Sequence, residues 1–186
     1  MNDGMGVSVL IILTAILVGG SIWMYNRLIR LRNMVAEGLS AIDVQLKRRA
    51  NLVPNLEQAV KGYMGHERAL LAEIAELRAR SREARTIGDK GRIEMDLSRA
   101  LAGLMAVAES YPDLKASQNF LALQRELSDI EDQIQMARRY YNGTVRNLNI
   151  AVESFPSLII ARLGGFKGAE FFAAEAEDRA TPQLKI

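Results

Sequence analysis

Hydrophobic and polar positions follow two different rhythms along this chain. From Gly4 to Asn26 no residue carries a charge, and the stretch from Val7 to Met24 is almost wholly apolar. At about 1.5 Å rise per residue, roughly 20 such residues cross the hydrocarbon core of a bilayer. Beyond Asn26 the apolar residues thin out into helical stripes. Leu28, Leu31, Val35, Leu39, Ile42, Leu46, Val53, Leu56 and Val60 share one face of a helix. No turn signal separates it from the apolar run, so the two are expected to be continuous. Pro54 lies inside the pattern and, lacking a backbone donor, is expected to bend this helix. A third segment, His66 to about Ala84, carries Leu70, Ile74 and Leu77. Before it, Gly62-Tyr-Met-Gly65 reads either as a turn or as a weak point in one very long helix, because two glycines together lower helix propensity by about 2 kcal/mol.

Thr86-Ile-Gly-Asp-Lys-Gly91 reads as a loop. Arg92 to Ser110 follows as a helix with Ile93, Leu97, Leu101 and Leu104 in phase, and Tyr111-Pro112-Asp113 breaks it. The clearest stripe comes next. Phe120, Leu123, Leu127, Ile130, Ile134, Ala137, Tyr141, Thr144, Leu148, Ala151 and Phe155 step by three and four without a slip. This seam of about 36 residues would span roughly 50–55 Å and predicts coiled-coil-like packing, because such a stripe is stable only when buried. The helix is expected to end before Phe155-Pro156. The tail then turns apolar from Leu158 to Leu163, breaks at Gly164-Gly165-Phe166, carries the pair Phe171-Phe172, and becomes acidic at Glu175, Glu177 and Asp178.

The predicted fold is therefore all-α. An N-terminal transmembrane helix over residues 1–26 continues into an up-and-down, coiled-coil-like bundle of three to four long helices over 27–156. An apolar, aromatic and then acidic tail occupies 157–186. In such a bundle the last long helix runs antiparallel to the first and returns the tail toward the membrane. Phe155, Leu158, Ile159, Phe166, Phe171 and Phe172 then either touch the interface or fold back to plug the open end of the bundle.

Composition agrees with helices: apolar residues make up 49% and aromatics 6%. The interface pattern sharpens the anchor. Trp23 and Tyr25 sit at its end, where amphipathic rings prefer the headgroup layer, and Arg27, Arg30 and Arg32 follow at once. No Lys or Arg precedes the apolar run and no small-x-small cleavage site follows it, so an uncleaved anchor is expected over a signal peptide. The positive-inside rule puts the N-terminus outside and residues 27–186 in the cytoplasm.

Candidate chemistry is sparse. There is no cysteine, which excludes disulfides, Cys metal sites and Cys nucleophiles. One histidine, His66, cannot supply the two Glu-x-x-His motifs of a di-metal bundle. No phosphate-cradling loop and no nucleophile elbow occurs. No catalytic residue, cofactor or metal is therefore expected. A net charge of +2, with basic residues interleaved with acids and no aromatic platform, argues against nucleic-acid binding.

Two basic clusters stand out as interaction candidates: Lys47-Arg48-Arg49, and Arg138-Arg139 before Tyr140-Tyr141-Asn142. The plainer expectation is solvated faces with weak surface pairs. The alternative buries Arg49 and Arg139 partly beside the apolar stripes, where each fixes register with a carboxylate.

Several stretches together carry a family resemblance. They are Tyr25-Asn-Arg-Leu-Ile-Arg-Leu-Arg-Asn33, Ile42-Asp-Val-Gln-Leu-Lys-Arg-Arg-Ala-Asn-Leu-Val-Pro-Asn-Leu56, Val60-Lys-Gly-Tyr63 and Ala106-Val-Ala-Glu-Ser-Tyr-Pro-Asp-Leu-Lys115. Arg138-Arg-Tyr-Tyr-Asn142, Glu153-Ser-Phe-Pro156, Gly165-Phe-Lys167 and Glu170-Phe-Phe172 extend them in collinear order. The chain resembles the LemA family of bacterial membrane proteins from about residue 7 to 185. It departs from the family pattern at Leu39, Leu158, Gly164 and Gly168. The resemblance implies one N-terminal membrane helix with its N-terminus outside, a helical bundle inside, and no established enzymatic activity. Some members belong to magnetosome membranes, which implies a role in organising or shaping membranes.

The expected function is a non-enzymatic scaffold at a bacterial plasma membrane. Its expected partners are the lipid bilayer, further copies of itself in a homo-oligomer, or another membrane protein. The alternative is an adaptor that docks a membrane partner such as a quality-control protease. Membrane-interface candidates are Trp23, Tyr25, Arg27, Arg30, Arg32, Phe166, Phe171 and Phe172.

Overall fold

The computed structural model describes residues 3–65 and 67–172. His66, the acidic run Glu175, Glu177 and Asp178, and Thr181-Pro182 lie outside the described residues. The elements are helices α1 (Asp3–Lys61), α2 (Arg68–Glu83), α3 (Ile87–Ala108), α4 (Pro112–Lys115), α5 (Gln118–Glu153) and α6 (Ser157–Leu163). No strand occurs among the described residues. The chain divides into two compact units. The first comprises Met1–Gly38 and Gly143–Ala169, the second Leu39–Asn142 and Glu170–Ile186.

Helix α1 runs without a break from the apolar stretch into the striped, charged one, as the missing turn signal implied. It is the one described helix long and apolar enough to cross a membrane, and none of its most apolar 18-residue window is buried. Further along, the stripe takes over: Ile42, Leu46, Val53, Leu56 and Val60 are buried. The helix passes through Pro54 and ends at Lys61. There the N–H groups of Tyr63 and Met64 both reach the Val60 carbonyl at 2.9 Å. Gly62–Gly65 is thus a turn, with Met64 tucked inside.

The next connection is shorter than the sequence suggested. The expected loop over Thr86–Gly91 shrinks to Ala84–Thr86, because α3 begins at Ile87 rather than Arg92. The reason is a reciprocal cap. Thr86 is extended; its hydroxyl oxygen accepts from the Asp89 N–H at 3.0 Å and donates to Asp89 Oδ2 at 2.8 Å. An N-cap of this type is worth about 1 kcal/mol. It offsets about half of the penalty of Gly88 and Gly91, about 1 kcal/mol each in a helix. The hydroxyl of Thr86 also holds the Asp89 carboxyl below its ordinary range, with Arg92 assisting. Helices α2 and α3 pack against each other, with Ile74, Leu77, Leu97, Leu101 and Leu104 buried.

Tyr111-Pro112-Asp113 does end α3, but Pro112 opens the single turn α4. Its missing N–H costs nothing at a first helical position. Helix α5 carries the three-four seam. Phe120, Leu127, Ile130, Ile134, Tyr141, Thr144, Leu148 and Ala151 are buried, and Leu123 and Ala137 are half-buried. The last member, Phe155, is 81% exposed instead. The helix stops at Glu153, so the periodicity no longer fixes where Phe155 points. The Phe155–Pro156 peptide bond is cis.

Candidate functional site

In the first unit, the membrane-interface candidates gather where the apolar run of α1 ends. Trp23 is 62% exposed, and the Arg27 guanidinium lies 5.6 Å from its ring centroid. The Tyr25 ring meets Phe166 edge-on, with centroids 5.5 Å apart, and Arg32 lies 5.4 Å from the same ring. Arg30 is exposed. Contacts of this kind are worth roughly 0.5–1 kcal/mol at exposed sites.

Phe166 reaches this position through the way α6 ends. Gly165 takes φ +68°, a conformation glycine adopts without penalty. Its N–H donates to the Arg162 carbonyl at 3.3 Å, and the Phe166 N–H donates to the Ala161 carbonyl at 2.9 Å. This pair of bonds is the Schellman cap, and its usual hydrophobic contact between Ala161 and Phe166 is present. The two residues form a small core with Leu28 and Ala151, and Ile29, Leu31, Val152 and Ile160 pack against it. The chain is then held by Asn149. Its Nδ2 donates to the Ala169 carbonyl at 3.1 Å, and its Oδ1 accepts from the Ala169 N–H at 2.8 Å.

In the second unit, Arg49 is 1% exposed and surrounded by oxygen. Its Nη2 donates to the Glu94 carboxylate, and its Nη1 donates to Glu131 Oε1 at 2.5 Å and to Ser98 Oγ at 2.6 Å. The Ser98 hydroxyl in turn donates a hydrogen bond to Glu131 Oε2 at 2.8 Å, and Ser81 donates to Glu94. One guanidinium on α1 is thus tied to α3 and α5. Planar forked donors suit this task better than a lysine ammonium would. Breaking such a buried pair costs about 3–5 kcal/mol, although an apolar replacement of the whole set is often neutral.

The other cluster members lie differently. Lys47 and Arg48 are exposed, and Arg48 donates to Gln45 at 3.2 Å. Lys47 lines a cleft of about 370 Å³ with Arg78, Arg82 and Lys90, where Lys90 pairs with Asp43 at 2.6 Å. In the second cluster the alternative that buried Arg139 is corrected, and the plainer expectation of a solvated face holds for this residue. Arg139 is exposed, and Arg138 is the buried one, its guanidinium 5.7 Å from the Phe172 ring. Arg138 lies four residues after Ile134 and three before Tyr141, so it shares the face of the seam and Arg139 does not.

Phe172 is 1% exposed, whereas Phe171 is 44% exposed. Asn142 holds Phe172 as a backbone strand would. Its Nδ2 donates to the Phe172 carbonyl at 3.1 Å, and its Oδ1 accepts from the Phe172 N–H at 3.0 Å. The Tyr141 hydroxyl donates to the Glu170 carbonyl at 2.7 Å, and burial pushes that phenol above its ordinary range. Sequence reasoning missed Glu94, Ser98, Asn142 and Asn149. One signal was available: the two asparagines stand seven residues apart beside the seam, so they project from one side of α5.

Among the described residues no group of three His, Cys, Asp or Glu residues is arranged to hold a metal ion.

Comparison with known proteins adds a family. The model of the LemA family matches residues 38–186. The magnetosome protein MamQ of Magnetospirillum gryphiswaldense is 24% identical over 174 residues, covering 80% of this chain and 64% of its own length. MamQ 2 of Paramagnetospirillum magneticum is 26% identical over 189 residues, covering 86% of this chain and 70% of its own. The protein LemA of Metamycoplasma hominis is 28% identical over 165 residues, covering 86% and 75% respectively. The chain thus spans about two thirds of the length of the magnetosome relatives.

Proposed function

The chain belongs to the LemA family, and we propose that it acts as a non-enzymatic helical scaffold anchored in a bacterial plasma membrane. The observation that carries this reading is the uncovered first stretch of α1. Val7 to Ile22 expose large apolar side chains, yet the same helix continues as one wall of a protein core. Exposed apolar surface on this scale needs a bilayer or a partner. Arg27, Arg30 and Arg32 favour an outside N-terminus, with an up-and-down, coiled-coil-like bundle on the cytoplasmic side. Two relatives named as magnetosome proteins support a task at a membrane.

The scaffold reading includes self-association. Full-length protein in native-membrane nanodiscs should give one discrete species larger than a monomer by mass photometry. A strictly monomeric mass at high concentration sinks that part. Purified protein should also carry no tightly bound metal or organic cofactor, and finding one in stoichiometric amount would reopen enzymatic function.

One observation favours the adaptor alternative. Val44, Met136 and Tyr140 stay 54%, 46% and 43% exposed in the second unit. With Ala41 and Ala137 they line an open, mainly apolar cleft of about 380 Å³. Such a strip suits a helix of a membrane partner, for instance a quality-control protease. Photo-crosslinking from Met136 in cells should then recover one dominant heterologous protein. Recovery of self-contacts alone would reject the adaptor.

A further inference from the structure

The first unit leaves a second apolar surface uncovered besides the anchor. Phe155 is 81% exposed, Ile159 50% and Leu163 82%. Ile159 and Leu163 stand four residues apart in α6, a spacing that aligns side chains along one helical face, and Phe155 lies in the turn that leads into that helix. The opposite face is already used, since Ala161 and Ile160 belong to the core around Leu28 and Phe166. Within α6, Ser-Leu-Ile-Ile-Ala-Arg-Leu, only Ser157 and Arg162 are polar. A helix apolar on nearly all sides needs an apolar environment on nearly all sides, and the protein supplies it on one.

Its position says what supplies the rest. Leu28 lies only four residues past Met24, the end of the apolar run, which is about 6 Å along the helix axis. Tyr25, one residue past that end, touches the Phe166 ring that caps α6. Helix α6 therefore packs beside the stretch of α1 that leaves the hydrocarbon. That is the depth at which interfacial helices bury an apolar face, roughly 5–10 Å into the headgroup boundary. Exposed basic side chains outnumber acidic ones in this part of the unit: Arg27, Arg30, Arg32, Arg162 and Lys167 stand against Glu153. Basic residues at this level are drawn to anionic headgroups.

We infer that the α6 corner is a second, monotopic membrane contact, with Phe155, Ile159 and Leu163 seated in the acyl boundary of an anionic leaflet. Arg162, Lys167 and the arginines after the anchor face the headgroup phosphates. The inference rests on the reading of residues 7–24 as a membrane span. Phe166 and Ala161 are not part of the contact; they brace α6 against α1. Side chains inserted in one leaflet only also expand that leaflet relative to the other, which gives the scaffold a physical means of favouring curvature.

The chain has no cysteine, so single-cysteine variants report one site each. Full-length Phe155→Cys, Ile159→Cys and Leu163→Cys would be spin-labelled in phosphatidylcholine vesicles containing phosphatidylglycerol. Collision with oxygen, which concentrates among acyl chains, is compared with collision with a water-soluble nickel chelate. Leu13→Cys reports the span, and Glu76→Cys, 71% exposed on α2, reports water. Oxygen should dominate at all three α6 positions, as at Leu13. Nickel dominating there, with Leu13 still oxygen-rich, overturns the second contact and leaves the anchor intact. Nickel dominating at Leu13 as well overturns the anchor itself. Low collision with both reagents at the three positions means a protein covers the face, and also overturns the inference. In vesicles of phosphatidylcholine alone the labels should move toward water, and an unchanged depth would remove the anionic component.

Discussion

The two units solve opposite problems with similar helices. The second encloses charge: Arg49 is buried beside the carboxylates of Glu94 and Glu131 and the hydroxyl of Ser98, among buried leucines and isoleucines. The first gathers Leu28, Ala151, Ala161 and Phe166 into a small buried cluster and leaves large apolar side chains outside, from Val7 to Trp23 and at Phe155, Ile159 and Leu163. In one unit water sets the rules, so charge must be neutralised before it is buried. In the other, apolar surface stays open, which is sustainable only where water is not the neighbour. Stability in the second unit should therefore depend on internal pairing, and in the first on a few residues and on lipid.

The largest effect should follow from breaking the internal pairing. Glu94→Ala removes the carboxylate that accepts from Arg49 Nη2 and from Ser81. It leaves a guanidinium buried with less than its due of acceptors. The expected cost is about 3–5 kcal/mol, read as lost hydrogen-exchange protection of α3 amides in detergent micelles. Replacing Arg49, Glu94 and Glu131 together by leucine or methionine should recover most of it. If Glu94→Ala alone costs under about 1 kcal/mol, Arg49 is solvated like a surface residue, and the contrast between the units fails.

A smaller but still large effect is expected in the first unit. Leu28 is 1% exposed and central to the small buried cluster. Leu28→Ala should cost about 2–4 kcal/mol in that core, measured as lost protection of the amides of α6. An unchanged α6 would mean that lipid or detergent, not Leu28, holds the corner in place.

How much of this was legible beforehand differs between the units in the same way. The stripes of α1, α3 and α5 could be read because burial in a water-facing unit follows helical period, and Ile42, Leu97, Ile130 and Ile134 all lie where the period puts them. The apolar run of α1 was equally plain. What escaped was pairwise. Nothing in a one-dimensional pattern couples Arg49 to Glu94 and Glu131, which are 45 and 82 residues away. The start of α3 is masked by its two glycines, and the Thr86–Asp89 cap that opens the helix ahead of them is a side-chain contact. Arg138 and Arg139 read as one basic pair along the chain, yet one residue turns a helix by about 100°, so the first is buried and the second exposed. The tail gave its composition but not its contacts, since Asn142 and Asn149 bind backbone groups that carry no sequence signature.

Gly165 tests the same corner more gently. Its φ of +68° leaves room for a methyl group, with no atom within 4 Å of an added Cβ, so only backbone strain is at issue. Gly165→Ala should cost about 1–2 kcal/mol, seen as a lower thermal midpoint for loss of the α6 contact. Gly165→Asn should cost less, because asparagine tolerates the left-handed region better. Equal costs for the two would mean that the Schellman bonds are not what position Phe166.

The smallest effect is the most discriminating. Leu163→Ser removes a large side chain that is 82% exposed. Detergent wets this position in both the folded and the unfolded chain, so on folding the leucine is transferred nowhere. Stability in micelles should therefore change by less than about 0.5 kcal/mol, against the 2–5 kcal/mol typical of truncating a packed leucine. A loss in the upper range would mean that Leu163 is covered by protein, from this chain or another copy, and the first unit would then obey the same rule as the second. A negligible loss, with the chain still folded, keeps the two rules apart. It leaves Leu163 as surface held for a neighbour that is neither water nor this protein's own core.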